Sequence, residues 1–204
     1  VVVWCNAYSE MACYNPVYYS DSDFENLLTS SSIDNQYANW EAGGFRLPSE
    51  GEWWYAGSYI NGSIWTPYTH ASGADADYNV TSGASDYDGN GYILYTDDVA
   101  VYATSSTAGV KSKSSNALGL HDMSGNVYEW CWDWYKDWYE WWTKPDFGDK
   151  VDYRGPDSGQ DRILKGGCWF NQEGYSDITL GEREPWEPDH TDDQTGFRIA
   201  QSRY

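Results

Sequence analysis

The sequence predicts an α+β domain with few helices, short strands and a large share of loop. Three observations carry this. Helix signals occur in two short segments, residues 1–14 and about Glu50–Ala56. Two runs, RILKGGCWF at 162–170 and GFRIAQS at 196–202, read as strands. The remainder is rich in Gly, Ser, Asp and Asn, which favour turns over regular structure. The 204 residues fit one domain, 1–204, with no internal repeat and no linker. The opening VVVWCNAYSEM reads as the middle of a helix, so an upstream N-terminal segment is expected to be missing.

In the first helix Val2, Cys5, Met11 and Cys13 are among the apolar positions, and Asn15-Pro16 ends it. Residues 17–44 are polar and turn-rich. Ser49 followed by Glu52 is a capping box that starts the second helix, and Gly57 is placed to stop it. Residues 57–116 predict long irregular loops with short strand-like pieces, YILY and VAVY; loops of that length tend to carry function or metal. Within 117–142 the pattern predicts a short strand followed by loop.

The net charge is −20, an acid surplus that repels phosphate backbones and argues against nucleic acid as a partner. No window approaches the roughly 18 apolar residues of a membrane span, so membrane contact is expected only through an N-terminal anchor outside this chain. The 13 Trp and 19 Tyr exceed what one small core absorbs, and the surplus suits a binding surface. Cys5, Cys13, Cys131 and Cys168 include no CxxC pair. Buried free thiols are favoured over a bridge, although Cys5 and Cys13 could share a helical face.

Asp86, Asp88, Asn90, Gly91 and Asp97 fit an EF-hand-type calcium loop, with oxygen ligands at positions 1, 3, 5 and 12 and glycine at the turn. The same residues also read as a polar turn, since Asp-Gly and Asn-Gly are turn signals. His70, His121 and His190 show no HxxxH spacing and read as packed or surface residues rather than metal ligands.

Four blocks occur in order: Arg46-Leu47-Pro48-Ser49 with Glu52-Trp53; Ala117 to Trp130, ALGLHDMSGNVYEW; Arg162 to Trp169, RILKGGCW; and Gly196-Phe197-Arg198-Ile199. Together they resemble the formylglycine-generating-enzyme (sulfatase-modifying factor) branch of the C-type lectin fold. The resemblance implies that fold: α+β, loop-rich, with short strands and few helices. In the enzyme, two redox cysteines follow the third block. The matching positions here are Asn171 and Ser176, which form neither thiolate nor disulfide. The family's structural calcium maps to the side chains of Asp122 and Glu129 and the carbonyls of Gly125 and Val127. Alternatively, Asn126 and Glu129 simply satisfy buried backbone groups there.

The scaffold also serves the variable proteins of diversity-generating retroelements, of the treponemal kind, and the chain resembles these too. In them a rewritten cassette runs from about the third block to the chain end, which maps to 169–195 here. That region mixes Phe170, Tyr175 and Trp186 with eight acids and one Arg183, without a sustained apolar period. The expected ligand-binding face comprises Phe170, Gln172, Glu173, Tyr175, Glu184, Trp186, Glu187, Asp189, His190 and Asp192. Leu164, Trp169, Ile178, Leu180 and Phe197 are expected to form the buried frame beneath it. The favoured function is a non-enzymatic receptor for a protein or glycan ligand, at a bacterial cell surface or outside the cell. A formylglycine-generating-type oxidoreductase, or an inactive relative, is the alternative.

Overall fold

A computed structural model describes residues 1–30, 36–74, 96–136, 152–172 and 176–202. In chain order the elements are α1 (Val2–Met11), β1 (Tyr18–Tyr19), β2 (Tyr37–Ala38), β3 (Phe45–Arg46), α2 (Glu50–Ser58), α3 (Thr96–Val99), β4 (Tyr128–Trp134), β5 (Arg162–Lys165), β6 (Glu184–Trp186), β7 (Thr195–Gly196) and β8 (Ala200–Gln201). A 3-10 turn covers Ser176–Ile178. The chain divides into two compact units, Val1–Pro48 with Phe197–Tyr204, and Ser49–Gly196.

In the first unit β1 pairs with β2 and β3 with β8, both antiparallel. Strands of two residues cannot satisfy their surroundings by ladder bonds alone. Asn6, buried on α1, supplies the missing partners. Its amide nitrogen donates to the carbonyls of Tyr18 and Leu28 at 2.7 and 3.0 Å, and its oxygen accepts the N–H groups of Val17 and Tyr18 at 3.2 and 3.0 Å. Ser9 Oγ accepts the Phe45 N–H at 2.8 Å and so ties β3 to the same helix.

The second unit carries a four-stranded sheet in the order β6-β5-β4-β7. The β4–β5 and β5–β6 pairs are antiparallel and β4–β7 is parallel. Strand β5 is buried at all four positions, and α2 packs on β4. Trp53, Met123, Cys131, Ile163 and Leu180 form one core cluster; Ala71, Ala74, Val99, Ala100, Tyr102 and Ile178 form another. The pairing of β4 with β5 shifts register between Trp130 and Trp134. There the Arg162 guanidinium lies over the rings of Trp132 and Trp134, 4.3 and 3.7 Å from their centroids.

The Ser49–Glu52 capping box is present on α2. Other expectations shift. The first helix ends at Met11, and Cys13 is exposed with φ 61, off any face shared with Cys5. Gly57 does not stop α2, which runs on to Ser58. It is there for close approach: a Cβ would lie 2.6 Å from Leu180 Cδ2. The strand expected over 162–170 stops at Lys165, because Gly166 and Gly167 turn left-handed at φ 90 and 72. The strand expected over 196–202 splits into β7 and β8, which belong to different sheets. VAVY is no strand: Val99 ends α3 and Val101 makes only a bridge to Gly125. Strand β6, with a proline at its centre, had no sequence signal. YILY and the Trp/Tyr run beyond residue 136 lie outside the described residues.

Asn6→Ala should destabilise the first unit by about 2–4 kcal/mol, because it strands the Leu28 carbonyl and the Val17 and Tyr18 N–H groups at once, the Tyr18 carbonyl keeping the Leu28 N–H. Urea unfolding followed by ring fluorescence measures this. A loss below about 1 kcal/mol, the net worth of one ordinary hydrogen bond, would show that Asn6 is not the organiser.

Candidate functional site

The ALGLHDMSGNVYEW block is a loop that other loops hang on. Gly125 has φ 71, and its N–H donates to the Gly166 carbonyl at 2.7 Å. A side chain there would run into the Val101 backbone. Asn126, also left-handed at φ 66, donates its N–H to the Val101 carbonyl and accepts the Trp169 N–H at its own carbonyl. Its side-chain oxygen accepts the Ala108 N–H at 3.0 Å.

The segment after β5 starts from this hub. Cys168 is fully buried, burial pushes its thiol pKa up, and its sulfur donates to Gln194 Oε1 at 3.4 Å. Asn171 stands at the first redox position implied by the family resemblance. Its side-chain oxygen accepts the Cys168 N–H at 2.6 Å. Its amide nitrogen donates to the Asp177 carboxylate at 2.6 Å and the Tyr128 hydroxyl at 3.2 Å. Its carbonyl accepts the Ala103 N–H at 2.7 Å. Asn171 is thus a structural staple that joins the β4 start, the post-β5 loop and the 3-10 turn. Its role has no signal in the sequence beyond its residue type.

The expected binding residues divide as follows. Phe170 is 57 % exposed and its ring meets Trp169 edge-on at 5.7 Å. Gln172 is exposed beside it. Trp186, 39 % exposed at the end of β6, stacks on His190 with centroids 3.9 Å apart. His190 Nε2 lies 2.9 Å from Asp192 Oδ2, and the His190 N–H donates to the Glu187 carbonyl. One turn therefore gathers Trp186, Glu187, His190 and Asp192, with Asp189 exposed between them. Glu184 is half-buried on β6; burial, with Glu182 and Asp177 nearby, raises its pKa. Trp169 links the two groups through a 3.2 Å bond from Nε1 to the Asp193 carbonyl. Glu173 and Tyr175 lie outside the described residues. Of the expected frame, Leu164, Ile178 and Leu180 are buried and Trp169 is half-buried. Phe197 is not part of it: it lies in the first unit, 37 % exposed, with its ring edge-on to Trp4.

The carboxylates considered for calcium already accept protein donors. Asp122 Oδ2 accepts the Lys111 N–H at 2.8 Å, and Glu129 Oε2 accepts Trp53 Nε1 at 2.7 Å. Among the described residues no three His, Cys, Asp or Glu side chains gather as a metal group. With the Gly125 and Val127 carbonyls the set offers side-chain and backbone oxygen, the right chemistry for a hard cation, but water would have to complete its shell. Asp86, Asp88 and Asn90 lie outside the described residues. Asp97 sits in α3, where its carboxylate accepts the Tyr102 hydroxyl and its carbonyl accepts Lys113 Nζ.

A charged cluster that sequence reading missed lies under the start of α2. The Arg183 guanidinium grips the buried Glu50 carboxylate with bonds of 2.5 and 3.0 Å. Asp133 Oδ2 accepts the Glu50 N–H at 2.7 Å, while Asp133 Oδ1 is buried without a hydrogen-bond partner among the described residues. The buried Lys165 ammonium donates to the carbonyls of Leu180 and Glu182. Burial, reinforced by Glu50, raises Asp133 from 3.8 to about 7; burial lowers Lys165 to about 8. An acid inside the aromatic run WCWDW was the available clue.

This geometry defines a loop-rich α+β scaffold of the formylglycine-generating, C-type-lectin-like class. The chain belongs to the sulfatase-modifying factor enzyme 1-like family, whose domain matches residues 34–203. It is 34% identical over 171 residues to the serine/threonine-protein kinase Pkn1 of Chlamydia trachomatis, covering 81% of this chain and 22% of that protein. It is 31% identical over 172 residues to the formylglycine-generating enzyme of Thermomonospora curvata, covering 80% of this chain and 51% of that enzyme. The chain thus spans about half or less of these relatives. Among solved structures, Treponema denticola variable protein 1 superposes with a TM-score of 0.70 at 28% identity, covering 98% of this chain and 67% of that one.

The pH dependence of stability should report Asp133. Its folded pKa lies above the unfolded value, so folding retains a proton between about pH 4 and 7. This contribution is fully present below that window and is lost as pH rises through it. Glu50 on α2, Arg162 on β5, Cys131 on β4 and Tyr153 face the group, and Arg183 and Lys165 act on it through Glu50. Asp133→Asn keeps an acceptor for the Glu50 N–H and should flatten the decline, measured as melting temperature from pH 4 to 8. Identical slopes for both proteins would contradict the assignment.

Proposed function

We propose that this chain is a ligand-binding protein whose C-terminal face, within 169–195, is diversified on a formylglycine-generating-enzyme-like scaffold. The observation that carries the reading is Asn171. The position that would hold a redox thiol is occupied by an amide whose hydrogen bonds hold the fold. Ser176 at the second position is likewise no thiol. Of the three buried cysteines, burial raises each pKa: Cys5 to about 11, Cys131 well above its ordinary value, and Cys168 as well. Buried thiols of this kind are inert. The likeness to the treponemal variable protein supports the same reading.

Exposed Phe170 and the Trp186–His190 stack, ringed by acids, suit a protein or glycan ligand met at a bacterial cell surface or outside the cell. The acid rim would make binding salt-sensitive and favour basic or hydroxyl-rich partners. Identity to formylglycine-generating enzymes favours the alternative, an oxidoreductase, which would need a thiol pair that neither family position supplies. Structural calcium at Asp122 and Glu129, with the Gly125 and Val127 carbonyls, belongs to the proposal as a stabiliser.

Two outcomes follow. The DNA beside the gene should hold a near-identical, adenine-biased repeat of the last coding stretch next to a reverse transcriptase gene; a complete flank without either rejects diversification. Replacing Phe170 and Trp186 by Ala should abolish capture of a ligand selected from surface protein and glycan libraries, with melting shifted by only a few degrees. Unchanged capture would move the site elsewhere.

Calcium at a hundredfold excess over its dissociation constant should add about 2.7 kcal/mol of stability. Melting with calcium and with chelator measures this, and identical curves remove the cation.

A further inference from the structure

After α2 the chain reverses sharply, and the tip of the reversal is Asn61-Gly62-Ser63-Ile64. Tyr59 bridges to Trp65, and the Ile64 carbonyl accepts the N–H groups of Ile60 and Asn61 at 3.2 and 3.4 Å. The Trp65 ring returns to the helix and meets Tyr55 and Tyr59 edge-on, at 5.1 and 5.6 Å. All four tip residues are exposed, and Gly62 takes φ 81. The Asn61 side chain turns onto its own backbone. Its Oδ1 accepts the N–H groups of Ser63 and Ile64 at 3.0 and 2.9 Å. Among the described residues, neither Asn61 Nδ2 nor the Gly62 N–H donates to a protein group.

This arrangement sets an electrophile beside a nucleophile. The electrophile is the side-chain amide carbon, Asn61 Cγ. The nucleophile is the Gly62 backbone nitrogen, which no Cβ shields. Three features favour attack. The Gly62 N–H faces water, where a base can remove its proton. The two groups are adjacent in a turn already held in one conformation, so little freedom is lost on approach. Finally, two N–H groups converge on Oδ1, the atom that gains negative charge when Cγ becomes tetrahedral. Donors fixed at such an oxygen act as an oxyanion hole.

We propose that Asn61 is a self-modifying site, at which the folded turn promotes its own deamidation with water as the co-reactant. The Gly62 nitrogen loses its proton to solvent base and bonds to Asn61 Cγ. The Cγ–Nδ2 bond breaks, and Nδ2 takes up a proton and leaves as ammonia, which closes a cyclic imide. Water then opens the ring. Addition at Cγ breaks the new bond and gives aspartate. Addition at the backbone carbonyl carbon breaks the original peptide bond and gives isoaspartate, with the chain running through Cβ and Cγ. No redox change occurs, and each event adds one carboxylate. Aspartate keeps an oxygen for the Ser63 and Ile64 N–H groups. Isoaspartate lengthens the backbone inside the reversal, so it shifts Tyr59 against Trp65 and loosens the ring cluster. The site is independent of the C-terminal face.

Peptide mapping by mass tests this on the whole chain in mildly alkaline buffer, folded in one arm and unfolded in urea in the other. Asn90-Gly91, the other Asn-Gly pair, lies outside the described residues, so each pair is followed in its own peptide. The urea arm reports the reactivity of the bare Asn-Gly pair. Asn61 in the folded protein should convert about tenfold or more faster than in urea, a modest share of the roughly 100- to 1,000-fold that one oxyanion donor is worth in an enzyme. Ring fluorescence should change in step with isoaspartate content. Equal rates in the two arms, or a slower reaction in the folded protein, would overturn the proposal.

Discussion

Asparagine side chains bonded to backbone are what the rest of this structure depends on. Buried peptide groups must find partners, and a chain whose strands, β4 apart, have two to four residues leaves many of them outside any ladder. A primary amide offers a donor and an acceptor from one short side chain. Asn6 serves two carbonyls and two N–H groups in the first unit. In the second, Asn116 donates to the Ala56 carbonyl and Ser72 Oγ and accepts the N–H groups of Leu118 and Leu120. Asn126 and Asn171 continue the pattern through the loop after Gly125 and the segment after β5. Long loops can then be held in one conformation without long strands.

That constraint bears on function. A redox pair needs thiols that can approach, ionise and exchange. Asn171 is tied on three sides through its side chain, so its position has become part of the frame. Phe170 just before it and Trp186 at the end of β6 are under less constraint. Phe170 and Trp186 stand partly in water, and their neighbours are mostly acids that contact solvent. A frame fixed by amide staples beneath a surface free to vary is a physical basis for tolerance to substitution. The ion cluster of Glu50, Arg183, Asp133 and Lys165 adds rigidity at an electrostatic cost, visible in the raised Asp133 and lowered Lys165 values.

The fold was legible because its motifs have local mechanisms. Ser49 and Glu52 form the capping box that their spacing implies, and the glycines after Lys165 mark a turn that needs positive φ. The family blocks then gave the architecture. Element ends were less legible. Gly57 reads as a helix stop, yet it is small because Leu180 packs against it, a contact across more than a hundred residues of sequence. Strand β6 is set by pairing with β5, not by its own propensity. At the candidate face, exposure of Phe170 and Trp186 follows from their polar setting, whereas the Trp186–His190–Asp192 arrangement depends on one turn's geometry. Phe197 was misread because an apolar residue in a short strand signal suggests core, and it lies at a surface ring cluster instead.

The most direct test of the central claim, that this scaffold binds and does not oxidise, is a peptide mass measurement. The protein would be incubated with a sulfatase-type peptide carrying the target cysteine, together with copper, reductant and oxygen, beside a formylglycine-generating enzyme. The account predicts a peptide mass identical to that of a protein-free control while the enzyme converts its substrate. Conversion of the cysteine to formylglycine above that control would contradict it.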